Sequence, residues 1–341
     1  MWGKNRRRMG IERILLEHGS GGQATARLLE EVILPELGEI VLWDSALLNV
    51  EDFASLAFTT DSFVVDPIFF PGGDIGSLAI HGTVNDLAMV GAEPLYFSLA
   101  FILEEGLELS TLRQVVSSLA RAAREAGVRV VCGDTKVVPK GKGDKIFINT
   151  TGIGRLGSWR PRPENLKPGD KILISGPIAD HGLTILASRE GLGLEGLESD
   201  SQPLHRTVLP FLEKFGSRVK VLRDPTRGGL ASVLHEFAAA SGLTLLVEEE
   251  KVPIRPQVRA GCEILGLDPL YLACEGRFVA LCAPETAEEM IEFLRRFKTS
   301  EEAALIGEVL PPADFPLLLK TEIGGLRPIP PLSGEPLPRI C

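Results

Sequence analysis

The sequence predicts a mixed α+β protein made of two domains and a C-terminal tail. The chain has 341 residues, which is long for one hydrophobic core and suits two domains of ordinary size. Short apolar runs alternate with amphipathic stretches over most of its length, a pattern typical of interleaved strands and helices. Prolines at positions 161, 163 and 168 indicate a linker between the two halves.

The first half is predicted to contain four strands and two helices. The strands cover residues 56–60, 95–103, 128–132 and 146–153. One helix follows Asp74, its N-cap, and carries apolar or small residues at 75, 78, 79, 82 and 90. The other is predicted to be capped by Ser110 and to stop at Gly127. We assign residues 1–13 to a basic N-terminal extension and 14–160 to an N-terminal domain.

The second half alternates strands and helices in the same way. Strands are predicted at 171–175, 243–248, 277–283 and 304–310, and helices at 183–189, 204–215, 230–241 and 286–297. Residues 161–321 form the C-terminal domain, and 322–341 form a flexible, proline-rich tail. An extended tail of that kind rises ~3.1 Å per residue, so it could carry its end on the order of 60 Å.

Composition and charge exclude several classes of protein. The formal net charge of −10 argues against nucleic acid or an anionic membrane as the main partner, since both attract clustered Lys and Arg. The basic run at 4–8 is interpreted as a solvated extension. No stretch reaches the roughly 18 consecutive apolar residues of a spanning helix. No apolar signal segment follows the N-terminal charges, so the cytoplasm is the expected location.

The five cysteines form no C-x-x-C pair, and their number is odd. This pattern fits neither a disulfide framework nor a zinc site. Cys132 and Cys282 lie in apolar runs and are predicted to be buried small hydrophobes. Cys341 follows the proline-rich tail and ends the chain, so we interpret it as a reactive group.

Two stretches match the G-x-G-x-x-G pattern of dinucleotide-binding loops, at 152–157 and 191–196. The first runs into prolines and the second follows a helix, so both are predicted to be turns. The sequence contains no G-x-x-x-x-G-K-[ST], G-x-S-x-G or H-E-x-x-H motif. Any nucleotide must therefore be held without a Walker loop.

Aspartates recur where apolar runs end. The four positions are Asp44, Asp61, Asp134 and Asp224. One such carboxylate alone is usually a turn residue. Asp86 differs, because it lies on the stripe of the helix after Asp74 that should be buried, where an unpaired charge is costly. Oxygen ligands without His or thiolate suit Mg²⁺, which usually brings substrate phosphates with it.

Other groups near these aspartates in the sequence could hold a nucleotide. The neutral hydrogen-bonding and basic candidates are Thr59, Thr60, Asn85 and Lys136. The glycines whose backbone amides could approach a phosphate are Gly19, Gly21, Gly22, Gly228 and Gly229. Each signal is weak alone, and together they indicate Mg·ATP.

Six strings resemble the hydrogenase maturation proteins of the HypE family, within the PurM-like superfamily of aminoimidazole ribonucleotide (AIR) synthase-related enzymes. They are 59–65 (Thr-Thr-Asp-Ser-Phe-Val-Val), 71–76, 81–89, 133–138, 224–230 and 338–341 (Pro-Arg-Ile-Cys). The resemblance covers about residues 14–341. It implies a two-domain PurM-like fold, in which the N-terminal domains of a homodimer form a shared β-barrel and ATP binds in a cleft near that interface.

The resemblance also implies a reaction and partners. A carbamoyltransferase, HypF, would load a carbamoyl group onto Cys341, and ATP would then be used to dehydrate the S-carboxamide to a thiocyanate. The cyanide would reach the iron of [NiFe]-hydrogenase through a HypC–HypD complex. By superfamily analogy, Mg²⁺ would be carried by Asp44, Asp61, Asp86 and Asp224. The nucleotide would contact Thr135, in the string that holds Asp134, and the loop containing His18, Gly19, Gly21 and Gly22.

The residues suit such chemistry. An amide oxygen is a poor leaving group, so phosphorylation by ATP must activate it, with Mg²⁺ and Lys136 offsetting the phosphoryl charge. A base must then remove the remaining N–H proton, and the sequence leaves Glu275 and Asp86 as alternatives. Cys274 stands where the family typically has Asn, and we interpret it as a buried spectator thiol rather than a second acyl acceptor.

The same residues argue against several other functions. A selenophosphate synthetase would carry a reactive Cys or selenocysteine followed by Lys in its N-terminal glycine-rich loop, and residues 18–23 contain neither. A small-molecule kinase of the superfamily would have no use for a tethered terminal thiol. A non-catalytic carrier on Cys341 would not need the aspartates. Prenylation requires three residues after the cysteine, and none follow Cys341.

Overall fold

The computed structural model describes residues 13–15, 28–37, 55–332 and 339–341. A π-helical turn, Leu29–Ile33, leads into the short helix α1 (Leu34–Leu37). The following elements of the first half are, in chain order, β1 (Leu56–Phe63), β2 (Phe69–Phe70), β3 (Gly73–Asp74), α2 (Ile75–Met89), β4 (Ala92–Glu104), α3 (Leu109–Ala126), β5 (Arg129–Val138) and β6 (Ile146–Leu156).

A four-stranded sheet with the order β1-β6-β4-β5 organises this half. β4 and β5 are parallel and joined by α3, whereas β6 pairs antiparallel with both β1 and β4. One face is buried beneath α2 and carries Phe63, Phe97 and Ile148. The opposite face carries Phe58 and Ile102, which are 71% and 43% exposed. In the described residues this sheet is open, and no closed barrel is seen.

The second half contains β7 (Lys171–Ile174), α4 (Asp180–Glu190), α5 (His205–Phe215), β8 (Val219–Arg223), α6 (Gly229–Ser241), β9 (Thr244–Glu248), α7 (Pro256–Leu265), β10 (Val279–Cys282), α8 (Ala287–Leu294), β11 (Ala304–Leu310), β12 (Leu317–Lys320) and β13 (Leu326–Pro328). Its seven strands form one sheet in the order β13-β12-β9-β11-β7-β10-β8. The strands predicted from apolar runs and the helices predicted from periodicity are all present in this half, and the structure adds α7, β8, β12 and β13.

Three local predictions were wrong. Ser110 lies inside α3, whose N-cap is Glu108, because the helix begins two residues earlier than the polar pattern indicated. Asp61 and Asp134 were placed after their strands, but both lie within strands, since β1 and β5 continue beyond the apolar run. The paired register with the neighbouring strands includes both aspartates.

The predicted tail also begins later than residue 322. Leu326–Pro328 pair with β12 as the outer strand of the second sheet. Beyond them, the backbone N–H of Ile329 donates to Leu317 O at 3.0 Å, and the Tyr271 hydroxyl donates to Pro330 O at 2.7 Å. These hydrogen bonds hold the start of the tail in place. The sequence pattern does not reveal them, because the backbone groups of β12 become partners only in the folded sheet.

The linker between the halves packs against the second sheet. Trp159 is buried, and its indole Nε1–H donates to Val219 O at 2.8 Å. The N–H of Arg162 donates to Lys220 O at 2.7 Å.

None of the helices in the described residues combines the length and apolar character needed to span a bilayer.

Helix α2 begins with the capping interaction that the sequence predicts. Asp74 Oδ1 accepts hydrogen bonds from the N–H groups of Gly76 and Ser77, and the Ser77 hydroxyl accepts one from the Asp74 N–H. Since α2 is buried along most of its length, this cap positions the whole helix, including Asp86.

Replacement of the cap should destabilise the fold. We expect Asp74→Ala to lower the free energy of unfolding by about 1–2 kcal/mol, because two backbone donors lose their acceptor. Ser110→Ala is the matched control and should change it by less than about 0.5 kcal/mol, since Ser110 is exposed and caps nothing. Urea unfolding followed by circular dichroism compares the two; equal effects would contradict this account.

Candidate functional site

Carboxylates from both halves of the chain meet between the two sheets. Asp61 lies on the inner face of β1, Asp86 on α2, and Asp224 directly after β8. Helix α2 contacts β1, β6 and β8, and this packing brings the three together. Thr59, also on the inner face of β1, donates its hydroxyl to Asp86 Oδ2 at 2.9 Å.

Burial and mutual repulsion make the three acidic groups hard to ionise. Burial raises the pKa of Asp86 to about 6, and the charge of Asp61 adds to the increase against the hydrogen bond from Thr59. Burial and the charge of Asp86 raise the pKa of Asp224 to about 7. Burial also raises the pKa of Asp61. A hard divalent cation such as Mg²⁺ prefers oxygen ligands, and its charge would offset the repulsion among these carboxylates.

The ligand set for such a cation is incomplete in the described part of the chain. No three His, Cys, Asp or Glu side chains there converge closely enough to enclose a metal ion. Asp44, the fourth predicted metal ligand, lies outside the described residues, as do His18, Gly19, Gly21 and Gly22.

Glu275 is buried beside this cluster. The Asp200 carboxylate accepts the N–H groups of Glu275 and Gly276 at 3.1 and 3.2 Å. Position 276 must be glycine, because a Cβ there would lie 1.7 Å from Asp200 O. Glu275 Oε1 has no hydrogen-bond partner among the described residues. Burial, with the charges of Asp224 and Asp200, raises the pKa of this carboxyl group well above its ordinary value.

The C-terminal residues occupy the same pocket. The N–H groups of Val64 and Asp66 donate to Cys341 O and Arg339 O at 3.0 and 3.2 Å, an antiparallel pairing with the segment after β1. Ile340 is buried. Burial and the Glu275 charge raise the pKa of the Cys341 thiol to about 12, and Arg227, whose Nη2 lies 3.8 Å from the sulfur, opposes that shift.

Arg227 therefore faces the thiol, and Arg339 does not. Arg339 Nη1 pairs with Asp144 Oδ2 at 2.6 Å, and its Nε donates to Val64 O at 3.0 Å. Arg227 could have been noticed, since it lies in the string at 224–230 that carries the family resemblance.

The structure separates the predicted nucleotide-binding residues into two groups. Thr60, Asp134 and Lys136 lie on the exposed face of the first sheet, opposite the side that carries Asp61. Lys136 Nζ is paired there with Asp134 Oδ1 at 2.8 Å. Thr135, between them, points inward and is buried. The structure thus does not bring Lys136 together with Asp61, Asp86 and Asp224.

Asn85 connects the two halves. Its Nδ2 donates to Gln202 O and Glu275 O, each at 3.1 Å, and its Oδ1 accepts the N–H of Leu204 at 2.8 Å. The Asn85 side-chain amide therefore hydrogen-bonds to backbone groups of the second half. These bonds hold the backbone at Glu275 in a defined position relative to α2.

Gly228 and Gly229 precede and begin α6 with φ values of +80° and +61°. A Cβ on Gly229 would lie 2.6 Å from Leu272 O, so its packing requires glycine.

Cys274 is fully buried, its sulfur accepts the N–H of Ala179 at 3.2 Å, and burial raises its pKa well above the ordinary value. This environment agrees with the interpretation of Cys274 as a spectator thiol.

Comparison with known proteins places the chain in a class. A family model described as "AIR synthase related protein, N-terminal domain" matches residues 43–156, and "AIR synthase related protein, C-terminal domain" matches 167–317. The chain is thus an AIR synthase-related protein.

More specific matches follow. "Carbamoyl dehydratase HypE" of Azotobacter vinelandii is 49% identical over 329 residues, covering 95% of this chain and 96% of that protein. The crystal structure of "Hydrogenase Maturation Protein HypE in complex with ATP" is 49% identical with a TM-score of 0.91, covering 96% and 99%. A HypE–HypF complex contains a chain that is 45% identical, with a TM-score of 0.78 and coverage of 81% and 90%. The chain belongs to the HypE family.

The raised pKa values of the buried carboxyl groups predict a pH-dependent stability without metal. The folded pKa values of Asp86 and Asp224, about 6 and about 7, exceed the ordinary value of 3.8. The folded state therefore keeps protons that the unfolded state releases, and stability is lost as the pH rises from about 4 to about 7. The slope should reach up to about 1.4 kcal/mol per pH unit for each group.

Asp224→Asn tests this expectation because an amide cannot ionise. In EDTA, it should flatten the fall in unfolding free energy between about pH 4 and about pH 7, and it should also remove stabilisation by added Mg²⁺. Asp134→Asn is the control, since the Asp134 side chain is 62% exposed and lies on the other face of the first sheet. A wild-type slope retained in Asp224→Asn would refute the raised pKa of Asp224.

Proposed function

We propose that the chain is an ATP-dependent protein-S-carbamoyl dehydratase that converts an S-carboxamide on its own Cys341 to a thiocyanate. The observation that carries the proposal is the terminal thiol, held in one buried pocket with Glu275 and Asp61. The names of the relatives, carbamoyl dehydratase and HypE in complex with ATP, support the same activity. The product would supply the cyanide ligand of [NiFe]-hydrogenase.

The overall reaction converts the carboxamide and ATP to the thiocyanate, ADP and phosphate. The carboxamide oxygen attacks the γ-phosphorus as the bond to ADP breaks, and one N–H proton is released. The C–O bond then breaks, phosphate leaves, and removal of the second N–H proton completes the C≡N bond. Bound Mg²⁺ would neutralise phosphate charge, and Asp61, Asp86 and Asp224, with Asp44, are the residues that would hold it.

Glu275 is the better candidate for the base. Its Oε1 is free of hydrogen bonds within the described residues, and its charge acts on the Cys341 thiol. Asp86 already accepts a hydrogen bond from Thr59 and lies among the proposed metal ligands. A carboxyl group with a raised pKa suits proton removal near neutral pH, since it can both accept and release a proton there.

The tail adds effective concentration to this chemistry. A substrate tethered to the enzyme reacts intramolecularly and does not diffuse away. The half-buried thiol must leave its pocket to be carbamoylated, and the HypE–HypF complex among the relatives supports HypF as the protein that loads it. Transfer of the cyanide to a HypC–HypD complex requires the same movement.

Intact mass spectrometry tests the dehydratase. The protein carbamoylated on Cys341 should lose one water on addition of Mg·ATP, and Cys341→Ala should carry no such group. Asp86→Asn and Glu275→Gln should fold and be loaded but slow dehydration at least about 100-fold. An unchanged mass in the wild type while ATP is consumed would reject the dehydratase, and a loaded group without ATP turnover would favour a carrier.

The proposal includes a homodimer formed through the exposed face of the first sheet. Paired register places Phe58, Ile153 and Tyr96 on this face, and Phe147 is paired with Ile102. Apolar side chains exposed together on a sheet are typical of an interface. A second copy packed on this face would cover Lys136, Asp134 and Thr60. These three predicted nucleotide-binding residues lie on the face of the sheet opposite Asp61, and the interface would enclose them.

Charge placed on this face should dissociate the dimer. We expect Phe58→Glu to shift the wild-type dimer to a monomer, because Phe58 is 71% exposed on the face and the carboxylate would be buried in the interface. Ile323→Glu is the control, since Ile323 is 96% exposed in a turn of the second half. Sedimentation velocity gives the masses; a monomeric wild type, or a dimeric Phe58→Glu, would refute the interface.

A further inference from the structure

The docked C-terminus is held by three consecutive backbone carbonyl groups. Arg339 O accepts from the Asp66 N–H and from Arg189 Nη2, the latter at 2.9 Å, and Cys341 O accepts from the Val64 N–H. Ile340 O, between them, accepts from His181 Nε2 at 2.6 Å. The middle carbonyl is thus held by a side chain from the second half of the chain.

The His181 ring is fixed in one orientation. It is fully buried at the start of α4, and Phe70 packs edge-on against it with the ring centroids 5.6 Å apart. Its Nδ1 lies 2.7 Å from Ser199 Oγ, and that oxygen accepts the Ser201 N–H at 3.1 Å. The Ser199 hydroxyl proton is therefore available to Nδ1.

These contacts determine where the imidazole proton lies. A carbonyl oxygen can only accept, so Nε2 must carry the hydrogen that binds Ile340 O. Nδ1 then accepts from Ser199, and a neutral ring satisfies both neighbours. Burial lowers the pKa of His181, which favours this neutral form.

We propose that His181, oriented by Ser199, is a positioning residue that holds Ile340 O and so places the carboxamide on Cys341 for dehydration. The proposal rests on the dehydratase function and adds to it. A tether brings the substrate near the site but leaves its orientation free, whereas reaction requires the carbon and the base in a defined arrangement. His181 binds the residue next to the reacting one, and so limits that freedom.

Accessibility of the thiol gives a test that needs no activity. Alkylation of Cys341 by iodoacetamide, measured on the C-terminal peptide by mass spectrometry, should be about three- to tenfold faster in His181→Asn, the range expected for losing one neutral hydrogen bond. His181→Gln can keep a donor near the Nε2 position and should be closer to wild type. Ser199→Ala, which keeps the ring, should change the rate in the same direction as His181→Asn.

His81→Asn is the matched control. His81 is also buried, and its Nδ1 lies 3.0 Å from Ser201 Oγ on the same loop, but within the described residues its ring makes no hydrogen bond to residues 339–341. This variant should keep the wild-type alkylation rate. Equal rates in wild type, His181→Asn and Ser199→Ala, all folded by circular dichroism, would overturn the proposal, as would equal acceleration in His81→Asn.

A second readout separates positioning from general damage. In single turnover of the carbamoylated protein, His181→Asn should slow dehydration, His181→Gln should restore part of the rate, and the KM for ATP should stay unchanged. A raised KM for ATP with an unchanged single-turnover rate would contradict a positioning role. If the wild type itself loses no water, the dehydratase fails, while the alkylation result still decides whether His181 holds the terminus.

Discussion

Like charges buried around one thiol are the constraint on which this molecule depends. Asp61, Asp86, Asp224 and Glu275 come from both halves of the chain, and each has a pKa raised by burial. Such a group of carboxyl groups is stable only with bound protons, a cation or hydrogen-bond donors. Burial, with the neighbouring acidic groups, raises the proton affinity of Glu275 above that of an exposed glutamate.

The tail completes the pocket by a different principle. Its last residues are recognised mostly through backbone carbonyl groups, by Val64, Asp66, Arg189 and His181. Backbone recognition of this kind orients the terminus through main-chain atoms and does not involve the Cys341 sulfur. The Arg339–Asp144 pair adds a side-chain contact at the rim, where both groups are partly exposed and contribute little to stability.

Local patterns in the sequence predicted much of the fold. Asp74 was recognised as an N-cap because a carboxylate before an apolar stripe satisfies free backbone donors. Asp86 was predicted to be functional because an unpaired charge on the buried face of a helix is costly. Ser110 was misassigned, since a polar residue in the first turn resembles a cap. Asp61 and Asp134 were displaced from their strands because the apolar run ends before the backbone pairing does.

By itself, the sequence determined the order of the elements, the acidic character of the site and the terminal position of Cys341, since each follows from local periodicity or residue type. The tertiary structure alone decided that Arg227 and not Arg339 faces the thiol, that Lys136 lies on the far face of the first sheet, and that His181 binds Ile340 O. These relations join residues up to 159 positions apart, as for His181 and Ile340. No local pattern records them, because they exist only once two sheets pack and bury the groups between them.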